Sequence, residues 1–182
     1  ALIRGIATLE VTGSGTLSAA EAAAAAATLQ TTPLPGVVVQ DTLANLTNVS
    51  GWQTIATGGY IVADTTQYLV QHAGNALIAH AASGLDSVTL TANAQLDAAD
   101  FAVLAGIFSF SRGIASLTVA DSAPAIAAEA TQIAALASNA LVNAATPVTV
   151  DQAAALAGLN DAGKLSFAGG MSLTVADSFA DV

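Results

Sequence analysis

The sequence has no cysteine and few charges, and both shortages exclude classes of function. Without cysteine the chain forms no disulfide and offers no thiolate to a metal. Charged residues make up 9% of the 182 positions, with 13 acids against three basic residues and a net charge of −10. So acidic a chain cannot neutralise nucleic-acid phosphates, and it has no electrostatic attraction to an anionic membrane. We therefore predict no nucleic-acid partner and no electrostatic binding to an anionic membrane.

Aromatic residues are also scarce, at 4% of a chain that is 54% hydrophobic. Alanine supplies much of the apolar count, which predicts a thin core of closely spaced elements. No run of eighteen apolar residues lacks a polar interruption, so the sequence predicts no membrane insertion. The length suits one domain with a sizeable core, and we take residues 1–182 as that domain. Because the first residue is Ala1 and not Met, we expect a processed chain or a segment of a longer parent.

One short phrase recurs four times, and its chemistry predicts a strand that runs into a helix. A valine is followed two residues later by Asp and then by Ser or Thr, and a large aliphatic residue lies five positions after the Asp. The copies are Val39-Gln40-Asp41-Thr42, Val62-Ala63-Asp64-Thr65, Val119-Ala120-Asp121-Ser122 and Val175-Ala176-Asp177-Ser178. β-Branched residues favour the strand. The Asp is expected to be the N-cap, because its carboxylate can accept from free backbone N–H groups of the first helical turn.

A second phrase alternates with the first and places a cap residue directly after an aliphatic one, as in Leu17-Ser18 and Leu96-Asp97. The predicted helix caps are Ser18, Asp41, Asp64, Asp97, Asp121, Asp151 and Asp177. Seven strand-helix units with incomplete ends follow from this spacing. Similar units with short parallel connections predict an α/β fold of the β-α solenoid type, with a parallel sheet and helices on its outside. The alternative is a doubly wound α/β sheet.

With its Val-Ala-Asp-Ser/Thr phrases, alanine-rich helices and acidic, cysteine-free composition, the chain resembles repeat regions of large secreted or surface proteins of Gram-negative bacteria. The resemblance covers most of the chain. It implies an extracellular or cell-surface location and a role in adhesion, biofilm or a surface layer. The glycine-rich calcium-binding nonapeptide of many such secreted proteins is absent, which argues against a calcium β-roll.

The residues present give little support for a catalytic role. The two histidines, His72 and His80, lie in no motif with Ser and Asp, so we predict that the protein is not an enzyme. Tyr68, His72 and His80 share a predicted helix and form the one set that could ligate haem or a transition metal. The simpler interpretation, partly buried or surface histidines, is preferred, and no cofactor is predicted. Stacked Asp caps could bind calcium through their oxygens, which is the remaining metal alternative.

The predicted function is that of a structural or interaction module in an extracellular bacterial assembly such as a filament, surface layer or adhesin stalk. A solenoid needs polar terminal units, and neither end of this chain looks polar, so we predict head-to-tail self-association. The residues assigned to that contact are Ala1, Leu2, Ile3, Leu173, Val175, Phe179 and Val182. A carbohydrate- or calcium-binding surface domain is the alternative function, with surface polysaccharide as a second partner. The ends could instead continue into further repeats of a longer chain.

Overall fold

The computed structural model describes residues 16–28, 35–80, 86–107 and 109–176, and within them the fold is α/β, as predicted. The strands are β1 (Val39–Asp41), β2 (Tyr60–Asp64), β3 (Ser87–Leu90), β4 (Ala94–Leu96), β5 (Phe110–Ser111), β6 (Leu117–Ser122), β7 (Asn139–Ala144) and β8 (Leu165–Phe167). The helices are α1 (Ala19–Thr28), α2 (Leu43–Asn48), α3 (Thr66–Gln71), α4 (Ala76–His80), α5 (Ala98–Ala105), α6 (Ala123–Ala128), α7 (Ala130–Leu136) and α8 (Val150–Asp161). Short 3-10 turns cover Trp52–Thr54 and Ala168–Gly170.

The strands form two parallel sheets, and in each sheet they lie side by side in chain order. One sheet runs β1-β2-β3-β5 and the other β4-β6-β7-β8. Within the first sheet Val39 pairs with Tyr60, and within the second Thr118 pairs with Asn139. We call the stretch of chain from one strand to its next pairing partner a unit. Each unit therefore lies beside the one that follows it in the sequence.

Two isolated bridges extend the same parallel pattern beyond the named strands. Leu17 pairs with Val39, and Val148 pairs with Val175. The second bridge is closed by two hydrogen bonds, from the Val148 N–H to the Thr174 carbonyl at 3.0 Å and from the Ala176 N–H to the Val148 carbonyl at 2.9 Å. Pairing of one unit with the next thus extends over most of the described chain.

A single apolar cluster connects both sheets and the helices. Buried aliphatic side chains alternate along the strands, as in Val39 and Val62, because successive residues of a strand point to opposite faces. Buried alanines such as Ala19 and Ala140 allow close approach, in agreement with the expected thin core. The tightest contact involves Gly58, where a Cβ atom would lie 2.7 Å from the Gly36 carbonyl oxygen. Only glycine fits there.

Two of the predicted helices are wrong in extent. The helix expected to begin at Asp64 and to close at Ser83-Gly84 is divided into α3 and α4, because residues 72–74 form a turn. Its expected end lies outside the described residues. The helix expected from Asp121 to Leu141 is divided into α6 and α7 and ends at Leu136. Its expected last turn is instead part of strand β7, which pairs with both β6 and β8.

The expectation of one strand per unit is also wrong in the middle of the chain. There β3 is followed by β4 before α5 begins, and β5 is followed by β6 before α6 begins. The sequence also predicts a strand within residues 1–11 that ends near Val11, and it lies outside the described residues. Among the residues that are described, no helix combines the length and apolarity needed to cross a membrane.

Candidate functional site

The recurring aspartates lie one residue before the positions that cap the helices. Thr42 is the N-cap of α2, and its hydroxyl accepts from the Asn45 N–H at 3.2 Å; Thr65 caps α3 in the same way. Ser122 is the N-cap of α6. The prediction that Asp41, Asp64 and Asp121 are N-caps is therefore wrong. These three residues still belong to strands, and the extended residue after each of them leads into the helix.

The first carboxylate oxygen of each of these aspartates bonds to the backbone of the next residue. Oδ1 of Asp41 accepts from the Thr42 N–H at 2.8 Å, and Oδ1 of Asp64 accepts from the Thr65 N–H at 2.8 Å. Oδ1 of Asp121 accepts from the Ser122 N–H at 2.6 Å. These bonds hold the carboxylate at the end of its own strand and leave Oδ2 available to the preceding unit.

The second oxygen reaches the helix of the preceding unit. Oδ2 of Asp64 accepts from the Leu43 N–H at 3.1 Å, and Leu43 is the first residue of α2. Equivalent bonds join Asp41 Oδ2 to the Ala19 N–H of α1 at 3.0 Å and Asp121 Oδ2 to the Ala98 N–H of α5 at 3.1 Å. The partners lie 21 to 23 residues apart in the sequence. We call Asp41, Asp64 and Asp121 the interunit carboxylates, because each one caps the helix of the unit before its own.

Burial differs among the interunit carboxylates. Asp64 is 9% exposed and is the buried charged residue of the described chain. Asp41 is more open: burial raises its pKa, but hydrogen bonds from Asn45, Thr42 and Ala19 outweigh this and hold the pKa below its usual value. Within the described residues, no fully buried side-chain nitrogen or oxygen lacks a hydrogen-bond partner. Both oxygens of each interunit carboxylate thus accept from a backbone N–H.

Two of the remaining predicted caps hold a helix N-terminus, one does not, and one lies outside the described part of the chain. Asp97 is the N-cap of α5, with Oδ1 accepting from the Asp100 N–H at 2.8 Å, and the Ser18 hydroxyl accepts from the Glu21 N–H ahead of α1 at 3.2 Å. Asp151 is not a cap, because Thr149 holds that position and closes a capping box with Gln152. Asp177 lies outside the described residues.

The C-terminus of helix α7 is also capped by a residue of another unit, the cation Lys164. The Lys164 ammonium, just before β8, donates to the Ala134 carbonyl at 2.6 Å and to the Ala137 carbonyl at 2.8 Å, at the end of α7. Positive charge stabilises this end of a helix, where carbonyl groups lack intrahelical partners. The sequence analysis did not assign a role to Lys164.

The described C-terminal part of the chain carries exposed apolar side chains. Phe167 on β8 is 37% exposed and Val175 is 50% exposed, while Leu173 is partly buried. The strand expected ahead of Asp177 is reduced to the single bridge at Val175. Among the described residues β8 pairs on one side only, with β7. The other residues assigned to self-association, Ala1, Leu2, Ile3, Phe179 and Val182, lie outside the described part of the chain.

The Tyr68–His72 pair is held by contacts within its own helix. The two rings stack with their centroids 4.0 Å apart, and Nδ1 of His72 lies 2.9 Å from the Tyr68 carbonyl oxygen. His80 is on α4, so the expectation of one shared helix is wrong. In the ranges that the structure covers, no three His, Asp or Glu side chains are grouped as metal ligands.

A pocket of about 300 Å³ near Trp52 was not predicted. Trp52 and Tyr60 meet edge to face in its wall, and Asp86 accepts from the Tyr60 N–H at 2.9 Å. Burial, together with the Asp86 charge, raises the pKa of Tyr60 to about 12. Trp52 is only 1% exposed and Tyr60 8%, so neither ring presents a face on which a sugar could stack. This geometry does not favour the carbohydrate-binding alternative.

Comparison with protein-family models, curated proteins and solved structures finds no match for this chain.

Proposed function

We propose that the chain is a β-α solenoid that acts as a non-enzymatic structural module and associates head to tail. The observation that carries this proposal is the way one unit completes another. Asp64 of one unit caps α2 of the unit before it, and Asp41 and Asp121 do the same for α1 and α5. Without the following unit, the backbone N–H groups at such a helix N-terminus would lose a hydrogen-bond acceptor.

Strand order supports the solenoid over the doubly wound alternative. In a doubly wound sheet the order reverses at a switch point, and ligands bind in the crevice formed there. The orders β1-β2-β3-β5 and β4-β6-β7-β8 each run in one direction along the chain. Contact with sequence neighbours is the defining property of a solenoid.

Among the residues that the structure describes, β8 has no strand partner on the side away from β7, and this supports end-to-end association. An unpaired strand edge is a template for pairing with another chain. The strand itself carries the exposed side chain of Phe167, and Val175, further along the chain, is exposed as well. A strand of a second copy would extend the sheet, and because the contact joins two different surfaces it would propagate as a filament unless it closed into a ring.

The setting proposed for this assembly is the bacterial cell surface or extracellular space. Its support is compositional: the chain is acidic and free of cysteine, and it repeats the Val-x-Asp-Ser/Thr phrase. A catalytic or calcium-binding role for the interunit carboxylates is disfavoured, because their oxygens already accept from backbone N–H donors that would repel a cation.

The test is the mass of the particle in solution together with an image of it. Light scattering after size exclusion, and electron microscopy at micromolar concentration, should show oligomers or filaments of the 17.7 kDa chain. Phe167→Lys should reduce assembly, because it places a charge at the open edge. Gln132→Lys adds the same charge at an exposed position of α7 and should leave assembly unchanged. A monodisperse monomer for the unsubstituted chain would refute head-to-tail association.

A further inference from the structure

The loop between β5 and β6 presents one aliphatic side chain to solvent. Ile114 is 105% exposed, as open as in an extended peptide. The loop is closed by a bond from the Arg112 Nη1 to the Ala115 carbonyl at 2.9 Å and by one from the Ala115 N–H to the Arg112 carbonyl at 3.1 Å. Gly113 adopts φ +59, and a Cβ there would lie 2.9 Å from the Thr89 hydroxyl. The loop thus holds Ile114 as a fixed projection.

A pocket lined by apolar side chains lies between α4 and α5. Its volume is about 360 Å³, and Ala73, Ile78, Ala79, Ala102, Val103 and Ile107 contribute to its lining. Val103 at this pocket is 40% exposed. The walls are small or aliphatic, so the pocket offers an apolar environment to a branched side chain such as isoleucine.

The charges beside the projection and the pocket are opposite. Arg112, next to the loop tip, is one of two basic residues in the described chain, the other being Lys164. Asp100 precedes Val103 by three positions on α5, which places both on one helix face, and both are exposed. A chain with a net charge of −10 repels its own copies. A contact that brings Arg112 towards Asp100 would offset part of that repulsion.

We propose that Ile114 of one copy inserts into the α4–α5 pocket of a second copy. The occupant is a second copy because the same chain carries both the fixed apolar projection and an apolar pocket with the complementary charge. Such a contact is lateral and heterologous, so it can repeat from copy to copy. It is additional to the end-to-end contact and does not depend on it.

Cross-linking tests the contact directly, because the chain contains no cysteine of its own. Ser116→Cys labels the loop and Ala99→Cys labels the pocket side of α5, and both positions are exposed. A mixture of the two variants treated with a short bismaleimide should give a cross-linked heterodimer at micromolar concentration. Either variant treated alone should give much less product.

Further substitutions test whether Ile114 is responsible for the cross-linked product. Ile114→Asp in the Ser116→Cys protein should lower the yield about tenfold or more, the fold change that corresponds to leaving one large aliphatic side chain unburied. Phe167→Lys should leave the yield unchanged, which separates this contact from the end-to-end one. An unchanged yield with Ile114→Asp, or equal yields from either variant alone, would overturn the proposal. A yield abolished by Phe167→Lys would also overturn it, since the cross-link would then report the end contact.

Discussion

Helices α2 and α6 begin after the same sequence phrase but are capped differently. Both follow a strand whose Asp is succeeded by a hydroxyl residue, Asp41-Thr42 in one case and Asp121-Ser122 in the other. In α2 the Thr42 hydroxyl accepts from Asn45, and Asp64 of the next unit accepts from Leu43. In α6 the Ser122 side chain makes no capping bond.

The unit that follows explains the difference. Strand β2, beside α2, ends in Asp64, whereas β7, beside α6, ends in Asn143-Ala144 and carries no carboxylate. Pro124 in the first turn of α6 lacks an N–H and so reduces the number of donors to be satisfied there. The comparison indicates that a helix start in this fold is completed by the next unit, and that the local phrase alone does not determine it.

Removing the Asp64 carboxylate, which caps α2, should lower the free energy of unfolding more than any other substitution below. Asp64→Ala should lower the free energy of unfolding by about 3 kcal/mol, because the Leu43 and Thr65 N–H groups lose a charged acceptor in a buried place. Urea denaturation followed by Trp52 fluorescence measures it. Asp151→Ala, at an exposed position in the first turn of α8, is the matched control and should change stability by less than about 0.5 kcal/mol. Equal losses at both positions would contradict the interunit role.

The Lys164 ammonium at the end of α7 should contribute less to the free energy of unfolding than Asp64 does. Lys164→Met keeps the aliphatic stem but removes the two bonds to Ala134 and Ala137. We expect a loss of about 1 kcal/mol in urea denaturation. Lys164→Arg, which keeps the charge, should recover part of it. No difference between the Met and Arg variants would indicate that the ammonium group does not stabilise α7.

Adding a carboxylate beside α6 should make its start resemble that of α2. Ser122 pairs with Ala144, so Ala145 lies opposite Ala123, the first residue of α6. Ala145→Asp is expected to raise the unfolding free energy by about 0.5–1 kcal/mol, the usual contribution of a cap. Thr146→Asp adds the same charge one residue further on and should give a smaller gain. Destabilisation by Ala145→Asp alone would show that the register argument fails at this helix.

The smallest effect is expected from the pH dependence of Asp41, whose carboxylate is half-buried. The pKa of Asp41 is held below its ordinary value of 3.8, so the folded state favours the charged form. Its contribution is present above that value and is lost as the pH falls through the lower folded pKa. The melting-temperature difference between the unsubstituted protein and Asp41→Asn should therefore be constant near neutral pH and shrink below about pH 3.8. A difference that grows on acidification would contradict the sign of this shift.

The sequence predicted the α/β class and the strand-to-helix junctions, since β-branched residues and hydroxyl or Asp residues act locally. It could not identify which helix Asp64 serves, because that depends on the register between β2 and the chain 21 residues earlier. The sequence predicts helix for the first half of β7, because Ala140 and Leu141 continue an alanine-rich helical pattern. Its extended form is imposed by β6 and β8 on either side. The Trp52–Tyr60 contact likewise forms only through tertiary packing.

Amide hydrogen exchange in Asp64→Ala, read residue by residue by NMR, tests the interunit role most directly. The account predicts that the Leu43 amide, in the helix of the preceding unit, loses protection strongly. The Tyr68 amide, which donates to the Thr65 hydroxyl in the helix that follows Asp64, should keep its protection. Loss of protection at Tyr68 with Leu43 unaffected would mean that Asp64 caps its own helix, and the account would be wrong.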